Sequence, residues 1–123
     1  MPRKPKPKSG SGSGKWTEGP DPEEVQVALE EATVDAYGEY EQHSGLLTMV
    51  QDQVVFPFSA RVLGEEVEVV DMEWPEDDEY GLDFVVERNG QRHRVEARSV
   101  DLIQPFPDGH LYIAAYLAWK RTL

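Results

Sequence analysis

The chain of 123 residues contains no cysteine. That absence excludes a disulfide framework, thiol catalysis, thiolate zinc sites and iron–sulfur clusters. No apolar run approaches the ~20 residues of a membrane span, and the first residues lack the apolar centre of a signal peptide. The expectation is a soluble cytoplasmic protein. Nucleophilic chemistry has little to build on, because there is no Gly-x-Ser-x-Gly elbow and no phosphate loop. His43, His93 and His110 stand apart, none with a second His four residues away. Histidine-based metal sites are therefore not expected, and each ring reads as a surface or half-buried histidine. Nothing makes a positive case for an enzyme.

Positive charge is scarce and confined. The chain has 24 acidic and 12 basic residues, and Arg3, Lys4, Lys6, Lys8 and Lys15 fall in the first fifteen positions, which hold no acid. Residues 16–123 keep seven bases against 24 acids, a formal charge of −17. A body so negative repels itself and calls for a metal ion, a basic partner or its own tail. It also repels phosphates, so nucleic acid is not expected to bind through it.

Residues 2–14 alternate Pro with Lys or Arg and then repeat Ser-Gly. That composition predicts an extended, solvated arm and a flexible linker, so residues 1–20 read as a disordered basic tail. Residues 21–123 read as one acidic domain with a modest core.

Asp21-Pro22-Glu23-Glu24 predicts a helix start, with Asp21 as cap, Pro22 in the first turn and Glu24 in the capping-box place. Val25, Leu29, Ala32, Ala36 and Tyr40 follow at spacings of three and four, an apolar stripe running past Gly38. On a helix carried through Gly38, which weakens its centre and allows a bend, Glu31, Asp35 and Glu39 line up at i, i+4 and i+8. Like charges so spaced repel by a few tenths of a kcal/mol each, which a divalent cation reverses. The same row reads equally as a solvated face. Leu46 to Asp52 predicts a second, short helix burying Leu46, Leu47 and Val50.

Pro57 ends the helical texture. Ser59 to Leu63 reads as a strand and Gly64 as a turn. Glu65 to Trp74 alternates acid and aliphatic, as a half-buried strand does. Leu82 to Arg88 alternates again, and Asn89-Gly90 is the strongest hairpin signal. The return strand places His93, Val95 and Ala97 on one side, with Arg92, Arg94 and Arg98 opposite to pair with neighbouring acids. Leu111 to Leu123 reads as a closing helix. The fold class is α+β: N-terminal helices, a small, strongly curved antiparallel sheet or partial barrel of four to five strands, and a C-terminal helix.

Calcium takes about six to eight hard oxygen ligands. The sharpest patch is Asp71, Glu73, Glu76, Asp77, Asp78 and Glu79, ending near Asp83, and within it Pro75 and Gly81 bracket a loop whose backbone carbonyls could join. It is no EF-hand: a loop begun at Asp77 puts Gly81 fifth instead of sixth and Arg88 where a bidentate Glu belongs.

Three stretches taken together resemble a known family: Val34-Asp35-Ala36-Tyr37-Gly38-Glu39-Tyr40-Glu41, Val54-Val55-Phe56-Pro57-Phe58-Ser59-Ala60 and Gly64-Glu65-Glu66-Val67-Glu68-Val69. The chain is similar to the small acidic calcium-binding proteins first described in cyanobacteria, the CcbP type, over roughly residues 32–104. The resemblance implies a monomeric, cytosolic bacterial protein that binds calcium through a negative surface without EF-hands. Asp35, Glu39 and Glu41 fall on the family's acidic helix motif, while Gly38 stands where another acid is expected.

The sequence thus points to a non-catalytic calcium buffer or sensor. Its Ca2+ ligands are expected at Glu31, Asp35, Glu39 and Glu41 and at Asp71, Glu73, Glu76, Asp77, Asp78 and Glu79. Affinity is expected on the order of 10⁻⁶ to 10⁻³ M. The alternative is an acidic small-barrel module that docks a basic protein partner or mimics nucleic acid.

Overall fold

The computed structural model describes residues 19–123. The expectation of a basic, disordered arm therefore falls almost wholly outside the described residues. In chain order the elements are α1 (Pro22–Ala32), α2 (Glu39–Gln53), β1 (Phe58–Val62), β2 (Glu65–Glu73), β3 (Asp83–Arg88), β4 (Gln91–Glu96), a 3-10 turn (Ala97–Ser99), β5 (Asp101–Leu102) and α3 (His110–Lys120).

The strands form one antiparallel sheet in the order β4-β3-β2-β1-β5. The sheet is open, with β4 and β5 as edges. Leu63-Gly64 and Asn89-Gly90 make the two hairpin turns, all four residues at positive φ. Those are the backbone angles of two-residue turns that match strand twist. A register shift between Val69 and Asp71 adds a bulge to β2, which bends a strand and increases its twist.

The alternation read from the sequence sorts the faces. Phe58 pairs with Val69, Ala60 with Val67, and Val69 in turn with Val86, all buried. Glu66 and Glu68 point to solvent. Opposite the sheet, α3 buries Ile113, Ala115, Tyr116 and Trp119 and contacts both α1 and α2. One cluster of buried side chains joins helices and sheet.

Two expectations about the helices are corrected. The stripe from Val25 to Tyr40 does not lie on one helix: α1 stops at Ala32. Thr33 ends it by returning both its N–H (3.1 Å) and its hydroxyl (2.8 Å) to the Leu29 carbonyl. Ala36 N–H then bonds Thr33 O at 3.0 Å, and Asp35 adopts φ 64. Gly38 is extended and starts a new helix, in which Glu41 reaches back to the Tyr37 N–H at 2.8 Å. Glu31, Asp35 and Glu39 thus belong to a helix end, a linker and a helix start, and Tyr40 is left 66% exposed. The expected short helix beginning at Leu46 is the second half of α2, with Leu46, Leu47 and Val50 buried as read. Among the predicted strand positions, His93 is exposed on edge strand β4 instead of sharing a buried face with Ala97.

Gly45 sets how α1 meets α2. A Cβ there would overlap the carbonyl oxygen of Ala32. In an ordinary helix interior Gly→Ala stabilises by up to about 1 kcal/mol. Here Gly45→Ala is expected to cost about 1–3 kcal/mol through the clash. Urea denaturation decides the sign, and a gain in stability would contradict this packing.

Candidate metal centre

The run Glu76–Glu79 lies between the end of β2 and the start of β3, and its loop is folded tightly on itself. Gly81 N–H bonds Asp78 O at 3.0 Å, while the Asp78 carboxylate accepts the Tyr80 N–H at 3.2 Å. An added Cβ at Gly81 would come 2.7 Å from Pro75 Cγ and 2.8 Å from Asp78 Oδ2. Any larger residue would push the turn open.

Two helices hold the loop from behind. His43 on α2 is only 3% exposed, and its Nε2 lies 2.7 Å from the Gly81 carbonyl oxygen. A carbonyl only accepts, so Nε2 carries the proton and donates. The imidazole meets Trp74 and Tyr80 edge-on at 5.7 Å and stacks on Trp119 at 5.9 Å. Tyr116 donates its hydroxyl to Tyr80 O at 2.9 Å, and the Trp119 indole donates to Gln42 at 2.9 Å. Lys120, the last residue of α3, places Nζ 3.1 Å from Tyr80 O. The same Nζ lies 3.3 and 3.1 Å from the two Asp78 carboxylate oxygens. The reading of His43 as a surface or half-buried ring is therefore corrected: it is the buried latch of this loop.

The predicted ligands separate into groups. Glu76, Asp77 and Glu79 are exposed on the loop. The Tyr80 phenol is pushed up by burial, then by the negative charges of Glu79 and Glu39. Burial raises the Asp78 carboxyl, but the hydrogen bonds from Lys120 and the Tyr80 N–H, with the charges of Lys120 and His43, outweigh it. The net shift is downward.

The remaining acids are engaged elsewhere or stand apart. Glu31 accepts the Tyr112 hydroxyl at 2.8 Å where α1 meets α3. Burial, then that hydrogen bond and charge, raise the Tyr112 phenol. Glu41 caps the Tyr37 N–H, and Asp71 accepts the Met72 N–H at 2.8 Å. Glu73 pairs with Arg94 at 2.9 Å, and the same guanidinium holds Asp83 at 2.8 Å. Asp35 lies exposed in the α1–α2 linker.

Among the described residues no three acidic or histidine side chains already converge on one point. Their donor chemistry nonetheless fits calcium. Glu39, Glu76, Asp77, Asp78 and Glu79 offer hard carboxylate oxygens, and exposure leaves places for water. Sequence reasoning found these acids and the Gly81 that closes their loop, but missed the side chains that place them: His43, Tyr80, Trp119 and Lys120.

The family model for CcbP-type calcium binding matches residues 27–120, more than half of the chain. Two solved structures are similar in fold. The crystal structure of Anabaena CcbP has a TM-score of 0.65 at 21% identity, covering 82% of this chain and 92% of that one. A calcium-binding protein in its calcium-binding form has a TM-score of 0.62 at 24% identity, covering 81% and 91%. No curated protein matches.

Two outcomes are expected. His43→Leu keeps bulk but leaves the buried Gly81 carbonyl without its donor, at a cost of about 1–3 kcal/mol in urea denaturation. An unchanged midpoint would contradict the latch. Asp78 has a folded-state pKa below its ordinary 3.8. Its contribution to stability is therefore complete above that value and fades as pH falls through the lowered one. Melting curves of wild type and Asp78→Asn should differ at neutral pH and converge in acid. A gap that persists in acid would show that Asp78 acts through something other than its charge.

Proposed function

The chain belongs to the CcbP family of calcium-binding proteins, and from that premise we propose that it captures calcium at the acidic edge formed by Glu39 and the Glu76–Glu79 loop. The observation that carries this reading is the 2.7 Å hydrogen bond from His43 to the Gly81 carbonyl, which holds the helix that begins at Glu39 against the end of the Glu76–Glu79 loop. It ties α2 to the loop, which sequence spacing alone does not.

The carboxylates supply the attraction and the scaffold supplies the order. His43, Tyr116 and the tight Asp78–Gly81 turn fix the loop backbone, so the segment that carries the acids is ordered before any ion arrives. A bound dication would supply the positive charge that relieves their repulsion. Because no closed cage is built beforehand, the exposed side chains must turn inward and water must complete the shell. That arrangement supports a modest affinity and a buffering role in a monomeric cytoplasmic protein without catalysis. Glu31, Asp35, Glu41, Asp71 and Glu73 contribute as a diffuse negative field around this edge.

Calcium added at physiological salt is expected to move the amides of residue 39 and residues 76–81 in NMR spectra. It should also lower the pH at which Tyr80 ionises, since a cation offsets the two carboxylate charges that raise it. Tyr80→Phe identifies that phenolate signal. Glu39→Gln and Glu79→Gln should each weaken binding about three- to tenfold. Equal effects of magnesium at equal concentration, or no response at these amides, would refute calcium capture here.

A further inference from the structure

We propose that Lys120 is a tethered counter-ion of the acidic loop that competes with calcium and sets its affinity. The inference rests on the calcium reading above and deepens it. The ammonium lies within 3.3 Å of three oxygens: both carboxylate oxygens of Asp78 and the carbonyl of Tyr80. Carboxylate and carbonyl oxygens are the ligand types a calcium ion takes. A side-chain cation therefore already occupies a cation position.

The surroundings suit a cation that comes and goes. Lys120 is half-buried, with 30% of its side chain accessible, and an ammonium on a flexible four-carbon stem re-enters water readily. Its departure orphans no backbone group, because Tyr80 O keeps the Tyr116 hydroxyl. Asp78 likewise keeps the Tyr80 N–H, so the turn survives the loss of the lysine. The loop thus carries its own positive charge when calcium is scarce, which limits repulsion among Glu76, Asp77, Asp78 and Glu79. A calcium ion bound to the same run must displace that charge or bind beside it against repulsion. Coupling of this kind is reciprocal. Calcium loosens the tie between the loop and the end of α3, and the tie raises the calcium concentration needed.

The test compares wild type, Lys120→Met and Lys120→Arg as full chains. Calorimetric titration should show Lys120→Met binding calcium about three- to tenfold more tightly, with Lys120→Arg near wild type. Without calcium, Lys120→Met should melt below wild type, and saturating calcium should raise its melting temperature more than that of wild type. In wild type, the Lys120 side-chain NMR signals should move to those of a solvated lysine as calcium saturates. Equal or weaker binding by a folded Lys120→Met would make Lys120 a clamp and overturn the proposal. Should that variant fail to fold, wild-type Lys120 signals that do not move at saturation overturn it instead. A wild type whose amides at residues 76–81 ignore calcium sinks the calcium reading itself, and this inference with it.

Discussion

The hydrogen bond from His43 to the Gly81 carbonyl is the constraint on which the arrangement of the acidic edge depends. It joins α2 to the turn before β3 across 38 residues of sequence, in a site closed to water. A buried carbonyl without a donor costs about as much as the bond is worth in dry surroundings, so the bond is enforced from both sides. Trp74, Tyr80 and Trp119 close around the ring, and that packing fixes where the loop leaves β2 and where it enters β3. Only the stretch between, Glu76 to Glu79, is left to carry charge outward. The apolar latch and the acidic edge are two sides of one short loop.

That division explains how a body so negative stays folded. Arg94 binds Glu73 and Asp83 together and also donates to Trp74 O at 3.4 Å, neutralising the strand ends beside the loop. Arg92 lies 3.7 Å from Glu87 on the sheet, and Arg98, in the 3-10 turn, lies 2.8 Å from Glu96 at the end of β4. Exposed pairs of this kind are each worth only a few tenths of a kcal/mol to about 1 kcal/mol. Their value lies in placement: among the described residues these arginines sit beside sheet acids, and the ammonium of Lys120 meets the Glu76–Glu79 run at Asp78.

What was legible in the sequence is what local rules decide. The alternation Glu66-Val67-Glu68-Val69 fixed a face because strand side chains alternate, and Asn89-Gly90 fixed a hairpin because its turn demands positive φ. The cap at Asp21 needed only its own neighbours and accepts the Glu23 N–H at 2.8 Å. The Glu76–Glu79 run was visible as composition. The helix break was not legible, since apolar spacing of three and four continues across it from Val25 to Tyr40. What stops α1 is a threonine returning to its own carbonyl and a glycine that lets a second helix approach Ala32. His43 looked isolated because the rings that enclose it lie on the loop and on α3. Lys120 belonged to the expected closing helix, and its partner Asp78 is 42 residues away.

The break matters for more than helix lengths. On a continuous helix, Glu31, Asp35 and Glu39 would share one face, and any site would be a row of exposed carboxylates about one turn apart. The row would have no backbone oxygens to offer, because helix carbonyls are already bonded within the helix. Breaking the chain at Thr33 separates the three. Glu31 goes to the α3 junction through Tyr112, and Asp35 is left in the linker. Glu39 moves to the first turn of a new helix, whose positive end suits a carboxylate. The same helix carries His43 one turn further on, and His43 is what binds the loop. The acid and the latch that holds the loop therefore come from a single element, four residues apart. The break trades the regular row that the sequence pattern suggests for one acid at the start of the helix that also grips the loop.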